Sequence, residues 1–144
     1  MPSEALTCSA VLDTHIVLDW LVFRNPSVAP LATAVRMGSL RWLACARMRA
    51  ELERTLDYPQ LAHWLPDRVQ VLGSFDAFAA MLPTPPATAA ALRCSDADDQ
   101  VFIDLAMAQQ AQWLITHDRA LLRLARPALA RGVRIASLAA WRQK

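Results

Sequence analysis

Short apolar runs alternate with longer segments in which apolar residues recur every three or four positions. Cys8 to Leu12 reads as a buried strand, and His15 to Phe23 as a helix with Ile16, Trp20 and Phe23 on one face. Arg24-Asn25-Pro26 ends that helix. Ser27 is a candidate cap for a second helix running to Met37, which Gly38 stops. Arg41 to Cys45 reads as a short strand, leading into a helix whose stripe is Met48, Leu52, Thr55 and Leu56, closing near Tyr58-Pro59. Pro66-Asp67 opens another helix, predicted to reach Met81-Leu82, and Pro83-Thr84-Pro85-Pro86 is a loop too short to link domains. Beyond it the pattern predicts a helix from about Asp98 to Gln110, a strand from Trp113 to Thr116 and a helix from Asp118 to Arg126. Gly132 precedes a last strand, Val133 to Ala136, and a closing helix runs through Trp141. Strands separated by helices point to an α/β fold, a parallel sheet with helices on both faces. No internal repeat or low-complexity tract interrupts it.

Composition narrows the function. A chain of 144 residues is one domain, 1–144, long enough to bury a core. It is 55% hydrophobic, but much of that is alanine, and no uninterrupted apolar run approaches a membrane span. Met1-Pro2-Ser3-Glu4 lacks a basic segment followed by a long apolar one, so no secretion signal is expected. Cys8, Cys45 and Cys94 are odd in number and form no CxxC pair, which argues against zinc and a disulfide framework and fits a reducing cytoplasm. Lys144 is the only lysine, which removes a P-loop and any Schiff-base chemistry. Gly38, Gly73 and Gly132 are isolated, so no Gly-rich phosphate loop exists.

The net charge of +2 is small but unevenly spread. From Arg119 onward come Arg123, Arg126, Arg131, Arg134, Arg142 and Lys144, with no acid among them. Such a segment suits a phosphate backbone beside an acidic centre, and equally suits a solvated face of amphipathic helices.

The acids carry the chemistry. Asp13 follows the first apolar strand directly and Asp118 follows the Trp113–Thr116 strand. Each alone is a good N-cap for the helix after it. Carboxyl ends of strands line the ligand crevice of an open α/β sheet, so two strand-end aspartates point to a shared site. With ~100° per residue, implied by 3.6 residues per turn, Glu51 falls on the shoulder of the buried stripe while Glu53 points to solvent. Asp96, Asp98 and Asp99 crowd a helix start, where the dipole favours some negative charge but mutual repulsion calls for a cation. Asp99 borders the apolar flank of Phe102, Ile103 and Ala106, Asp98 is not excluded by geometry, and Asp104 is expected in solvent. His15, His63 and His117 have no metal-ligand spacing; His15 and His117 each adjoin a strand-end aspartate and are candidates for touching substrate. No GxSxG motif is present, and no cysteine has a neighbouring histidine.

Val11-Leu12-Asp13-Thr14-His15, Arg49-Ala50-Glu51-Leu52 with Tyr58-Pro59 after it, Ser95-Asp96-Ala97-Asp98-Asp99 and Leu114-Ile115-Thr116-His117-Asp118-Arg119 together resemble a PIN domain. The nearest branch resembled is that of bacterial VapC-like toxins. The motifs span nearly the whole chain in family order. His15 stands where the family usually has Asn, and Ala97 where this branch often has Pro. The resemblance implies a three-layer α/β/α, Rossmann-like fold and Mg²⁺- or Mn²⁺-dependent cleavage of RNA. It carries Asp13, Glu51, Asp99 and Asp118 over as catalytic and metal-binding acids, with Thr14 and Thr116 supporting them, and His15 and Arg119 as candidate substrate contacts. It also implies an antitoxin partner, and a homodimer is expected; the helices around Trp20 and Trp64 are a candidate surface, although core packing accounts for both tryptophans equally. The competing reading is a catalytically idle PIN module that binds RNA or a protein. A receiver-type phosphoacceptor lacks its interior lysine here, and a haloacid-dehalogenase-like phosphatase lacks Asp-x-Asp after the first strand.

Overall fold

Five apolar segments pair as a single sheet in the computed structural model, which describes residues 8–86 and 92–142. Met1 to Glu4 and Lys144 lie outside the described residues. The strands are β1 (Cys8–Leu12), β2 (Leu40–Cys45), β3 (Ala79–Leu82), β4 (Trp113–Ile115) and β5 (Arg134–Ala136). Their order is β3-β2-β1-β4-β5 and every pairing is parallel. Among the described residues eight α-helices accompany them: α1 (Thr14–Leu21), α2 (Ala29–Arg36), α3 (Ala46–Leu56), α4 (Arg68–Phe78), α5 (Gln100–Ala108), α6 (Arg119–Leu122), α7 (Ala125–Ala130) and α8 (Leu138–Arg142). The chain steps from β1 to β2 to β3 toward one edge, then crosses back to β4 and β5. Right-handed crossovers therefore place α1 to α4 on one face and α5 to α7 on the other, giving three layers.

Burial explains why β1 is apolar from Ala10 to Leu12. Covered on both faces, that half of the strand has no solvent side on which polar residues could alternate. Ala10, Val11 and Leu12 are almost wholly buried, as are Leu114 and Ile115 beside them. On the α1 to α4 face, Trp20 and Trp42 rings lie 5.4 Å apart, with Phe78 5.7 Å from Trp20 and Phe75 4.9 Å from Trp42. Trp20 is thus a core residue, whereas Trp64 is 47% exposed.

Several elements depart from the sequence pattern. The segment predicted as one helix to Leu82 ends at Phe78, and Ala79–Leu82 becomes edge strand β3, in register with Trp42 to Cys45. Ala-Ala-Met-Leu has no β-branched or aromatic residue, so only pairing with β2 makes it a strand. The helix predicted from Asp118 to Arg126 breaks into α6 and α7. Pro127 has no N–H to offer the Arg123 carbonyl, so an unbroken ladder is impossible there. Asn25, not Ser27, provides the cap before α2: its Oδ1 accepts from Ser27 N at 3.0 Å and opens a 3-10 turn, Pro26–Val28. A second such turn, Pro59–Trp64, follows α3.

Asp104 is buried rather than solvated, at 2% exposure. Gln100 Nε2 donates to Asp104 Oδ1 (3.0 Å) and to Leu92 O (2.8 Å), while Gln100 Oε1 accepts from Cys94 N (2.7 Å). That clasp lays residues 92–94 over the side of α5 away from the sheet. A wheel with one buried face misplaces Asp104 because α5 has two. No helix among the described residues is long and apolar enough to cross a membrane.

Candidate metal centre

The sheet order reverses at β1, and ligand crevices of open α/β sheets form beyond the strand ends at such a switch. Leu12 pairs with Ile115, and Asp13 N continues the ladder onto Ile115 O at 3.3 Å. This register sets Asp13 beside Thr116, whose hydroxyl donates to Asp13 Oδ2 in a very short hydrogen bond. Asp13 Oδ1 accepts from Ile16 N at 3.0 Å, capping α1. Capping and site placement are therefore compatible roles of one side chain. Burial pushes the Asp13 carboxyl above the usual range, against the pull of Thr116, the Ile16 amide and the charges of His15 and His117.

Thr116 is fully buried and serves both strand-end acids. Its hydroxyl oxygen accepts from Asp118 N at 2.9 Å, fixing the turn in which Asp118 Oδ1 accepts from Ala120 N at 2.7 Å and caps α6. Glu51 reaches in from α3, where Thr14 Oγ1 donates to its Oε1 at 2.5 Å. The 3-10 turn Ala97–Asp99, capped by Asp96 Oδ1 on Asp98 N at 3.0 Å, supplies the rest.

Carboxylate oxygens of Asp96, Asp99 and Asp118 all lie within 4.8 Å of one another. Asp99 Oδ2 is buried with no hydrogen-bond partner. Burial first, then a side-chain hydrogen bond shared with Asp118, then the charges of Asp118, Asp96 and Asp13, pushes the Asp99 pKa up to about 8. Among the described residues, the ion pairs made by arginine lie elsewhere: Arg49 with Asp76 and Glu53, Arg68 with Glu53 and Asp57.

Asp13, Glu51, Asp96, Asp98, Asp99 and Asp118 line one cavity of about 490 Å³, together with Thr14, His15 and His117. All four acids singled out in the sequence are thus brought together. Of the two left open, Asp96 shares the oxygen cluster with Asp99 and Asp118, whereas Asp98 reaches only the wall. Arg119 is exposed and stands outside that lining. Tyr58, not singled out as a site residue, also forms part of the wall. It lies two residues past the end of α3, so helical spacing from Glu51 gives no signal for it. Carboxylates without a cation, an orphaned buried oxygen and no sulfur or ring nitrogen in the cluster suit a hard divalent ion such as Mg²⁺ or Mn²⁺.

The family model described as PIN domain matches residues 9–120. Among solved structures, the chain is similar to one in the crystal structure of VapBC2 from Rickettsia felis bound to a DNA fragment from their promoter. That match has a TM-score of 0.60 at 12% identity, covering 90% of this chain and 98% of the other. At such identity the likeness is one of fold. No curated protein matches the chain in sequence.

Proposed function

Because the chain belongs to the PIN domain family, we propose that it is an endoribonuclease dependent on Mg²⁺ or Mn²⁺, and the toxin of a type II toxin–antitoxin pair. The observation carrying this reading is the orphaned Asp99 Oδ2 within a cavity of uncompensated carboxylates. An isolated carboxylate cluster is costly to keep in a fold unless a ligand balances it.

Asp13, Glu51, Asp99 and Asp118 are the proposed metal-binding and catalytic acids, with Asp96 close enough to join them. A divalent ion held there would lower the pKa of a bound water and offset charge on the scissile phosphate. The chain's own contribution is positioning. Thr116 holds Asp13 and the Asp118 turn in one arrangement, so the two strand-end acids are set before substrate arrives. Thr14 pins Glu51 by Oε1, leaving its other oxygen to orient the attacking water and accept its proton. His15 and His117, on the cavity wall, are proposed to donate to phosphate or leaving-group oxygens. Arg119, one residue past Asp118, is proposed to grip a flanking phosphate from outside the cavity.

An antitoxin partner is supported by likeness to a chain of a VapBC2 complex, and a homodimer is the proposed assembly. A cytoplasmic setting fits three free cysteines, Cys8, Cys45 and Cys94. The deciding test is RNA cleavage by the purified chain in Mg²⁺ or Mn²⁺, against Asp13→Asn and Asp99→Asn. Cleavage that vanishes with either substitution and with chelator supports the reading. RNA binding without cleavage in any divalent ion would identify an idle module instead.

A further inference from the structure

A cavity of about 140 Å³ lies between α1, α2 and α4, lined by Arg24, Arg36, Gln70 and Ser74 together with Trp20 and Phe78. It shares no residue with the acidic cavity. α1, eight residues long, carries the chain about 12 Å away from Asp13 before Arg24 is reached. Arg36 ends α2 ahead of β2, and Phe78 ends α4 ahead of β3. The hollow is therefore at the amino ends of the strands, away from the metal centre. Gln70, Ser74 and Phe78 recur every fourth residue, so one row of α4 faces it. Trp20 and Phe78 stack with centroids 5.7 Å apart and give it an apolar side.

Its charge is the reverse of the acidic cavity's: two arginines line it and no acid does. Among the described residues the ion pairs of arginine involve Arg49 and Arg68, so neither Arg24 nor Arg36 has an anion of its own. Arg24 is held at φ 53°, which glycine or asparagine adopts more readily, so its backbone gives no reason for an arginine there. We infer that this cavity binds a tetrahedral oxyanion of the phosphate class, either inorganic phosphate or the terminal group of a phosphate monoester. Two guanidinium forks fill the roughly four acceptor sites of a carboxylate. The Gln70 amide and the Ser74 hydroxyl are then left for the further oxygen that a phosphate brings. Pockets for whole drug-sized molecules begin at about 300 Å³, so this one takes the phosphate group and leaves any remainder outside. Such a site is independent of any cleavage of RNA.

Equilibrium dialysis of the full chain against radiolabelled inorganic phosphate, without divalent metal and at constant ionic strength, tests the site. Saturable binding of one phosphate per chain is expected, and its absence overturns the inference. Arg36→Gln, and Arg24→Asn, which keeps a residue at ease with positive φ, are each expected to weaken it at least about tenfold, the scale of losing charged hydrogen bonds. Arg36→Lys, which retains the charge without the fork, should fall between. Arg126→Gln with Arg131→Gln removes exposed charge elsewhere and should leave affinity unchanged. Equal affinity in the native, Arg24→Asn and Arg36→Gln chains, or as large a loss in the Arg126 and Arg131 pair, overturns the site. Acetate displacing phosphate at equal concentration also overturns it and assigns the cavity to a carboxylate. Adenosine monophosphate competing where adenosine does not identifies a monoester as ligand. Failure of the monophosphate to compete leaves the free ion, and both outcomes uphold the site.

Discussion

Glu51 and Glu53 stand two residues apart on α3 and meet opposite surroundings. Glu53 lies within 3.4 Å of the Arg49 guanidinium and 3.5 Å of Arg68, in a surface network that also takes in Asp76 and Asp57. Glu51 is held by a neutral hydroxyl and turned toward five more carboxylates. In the first region each acid is answered inside the chain, and exposed pairs of that kind contribute little. In the second the answering charge is missing, and Asp99 pays through a pKa pushed up to about 8. Sign and number of acids do not distinguish the two regions; the arginines do.

The strongest way to break this contrast is to remove one carboxylate from the unanswered set. Asp99→Asn should lower Mg²⁺-dependent RNA hydrolysis at least about a hundredfold, the scale of losing a group that steadies transition-state charge. Circular dichroism should show the fold intact, since an amide resembles the protonated acid. Hydrolysis at native rate would place the chemistry elsewhere.

Removing the hydroxyl between the strand-end acids comes next. Thr116→Val should weaken metal affinity by roughly 10–100-fold, the usual effect of losing a ligand's support, while Thr116→Ser should retain most of it. Isothermal titration with Mn²⁺ reads both. Equal affinities in the Val and native chains would leave the Thr116–Asp13 bond a packing feature only.

Proton linkage sharpens the same contrast. Asp99 and Asp13 have folded pKa values raised above the unfolded 3.8, so the folded chain binds more protons and its stability falls as pH rises. In chelator, Tm should decline from about pH 4 to about 8, and Asp99→Asn should flatten much of that decline. Metal must displace the Asp99 proton, so apparent affinity should rise by about tenfold per pH unit approaching pH 8. A flat Tm profile in chelator would show that the carboxylates are not crowded in solution.

Smaller effects are expected outside the cavity. Arg119→Ala should weaken RNA binding a few-fold and reduce the salt slope by about one, read by anisotropy at several ionic strengths. Least of all, Arg49→Ala should cost about 0.5 kcal/mol in urea melts and leave hydrolysis untouched, because its partners are half in water. A large loss of activity there would mean that the α3–α4 network sets the position of Glu51.

Much of this architecture is legible in the chain because Ala10-Val11-Leu12 and β4 are apolar runs that stop abruptly on polar residues, Asp13 and Thr116. Helix geometry separates Glu51 from Glu53 for the same reason it works on any helix with one covered side. It fails for Asp104 because Gln100 draws a loop across the other side of α5, a contact no periodicity records. It fails at Ala79–Leu82 because an edge strand of alanine and leucine carries no local mark of its pairing. Which of Asp96 and Asp98 joins the oxygen cluster depends on the phase of a single 3-10 turn, and nothing in Ser-Asp-Ala-Asp-Asp states it.

The hydrogen bond joining Thr116 to Asp13 spans 103 positions of the chain. β1 lies at the centre of the sheet yet gains its β4 neighbour only after β2 and β3 have been made. Until the ribosome has passed residue 118, the growing polypeptide holds isolated acids with nothing opposite them. If the cavity cuts RNA as proposed, the chain completes its cutting site only late in its own synthesis.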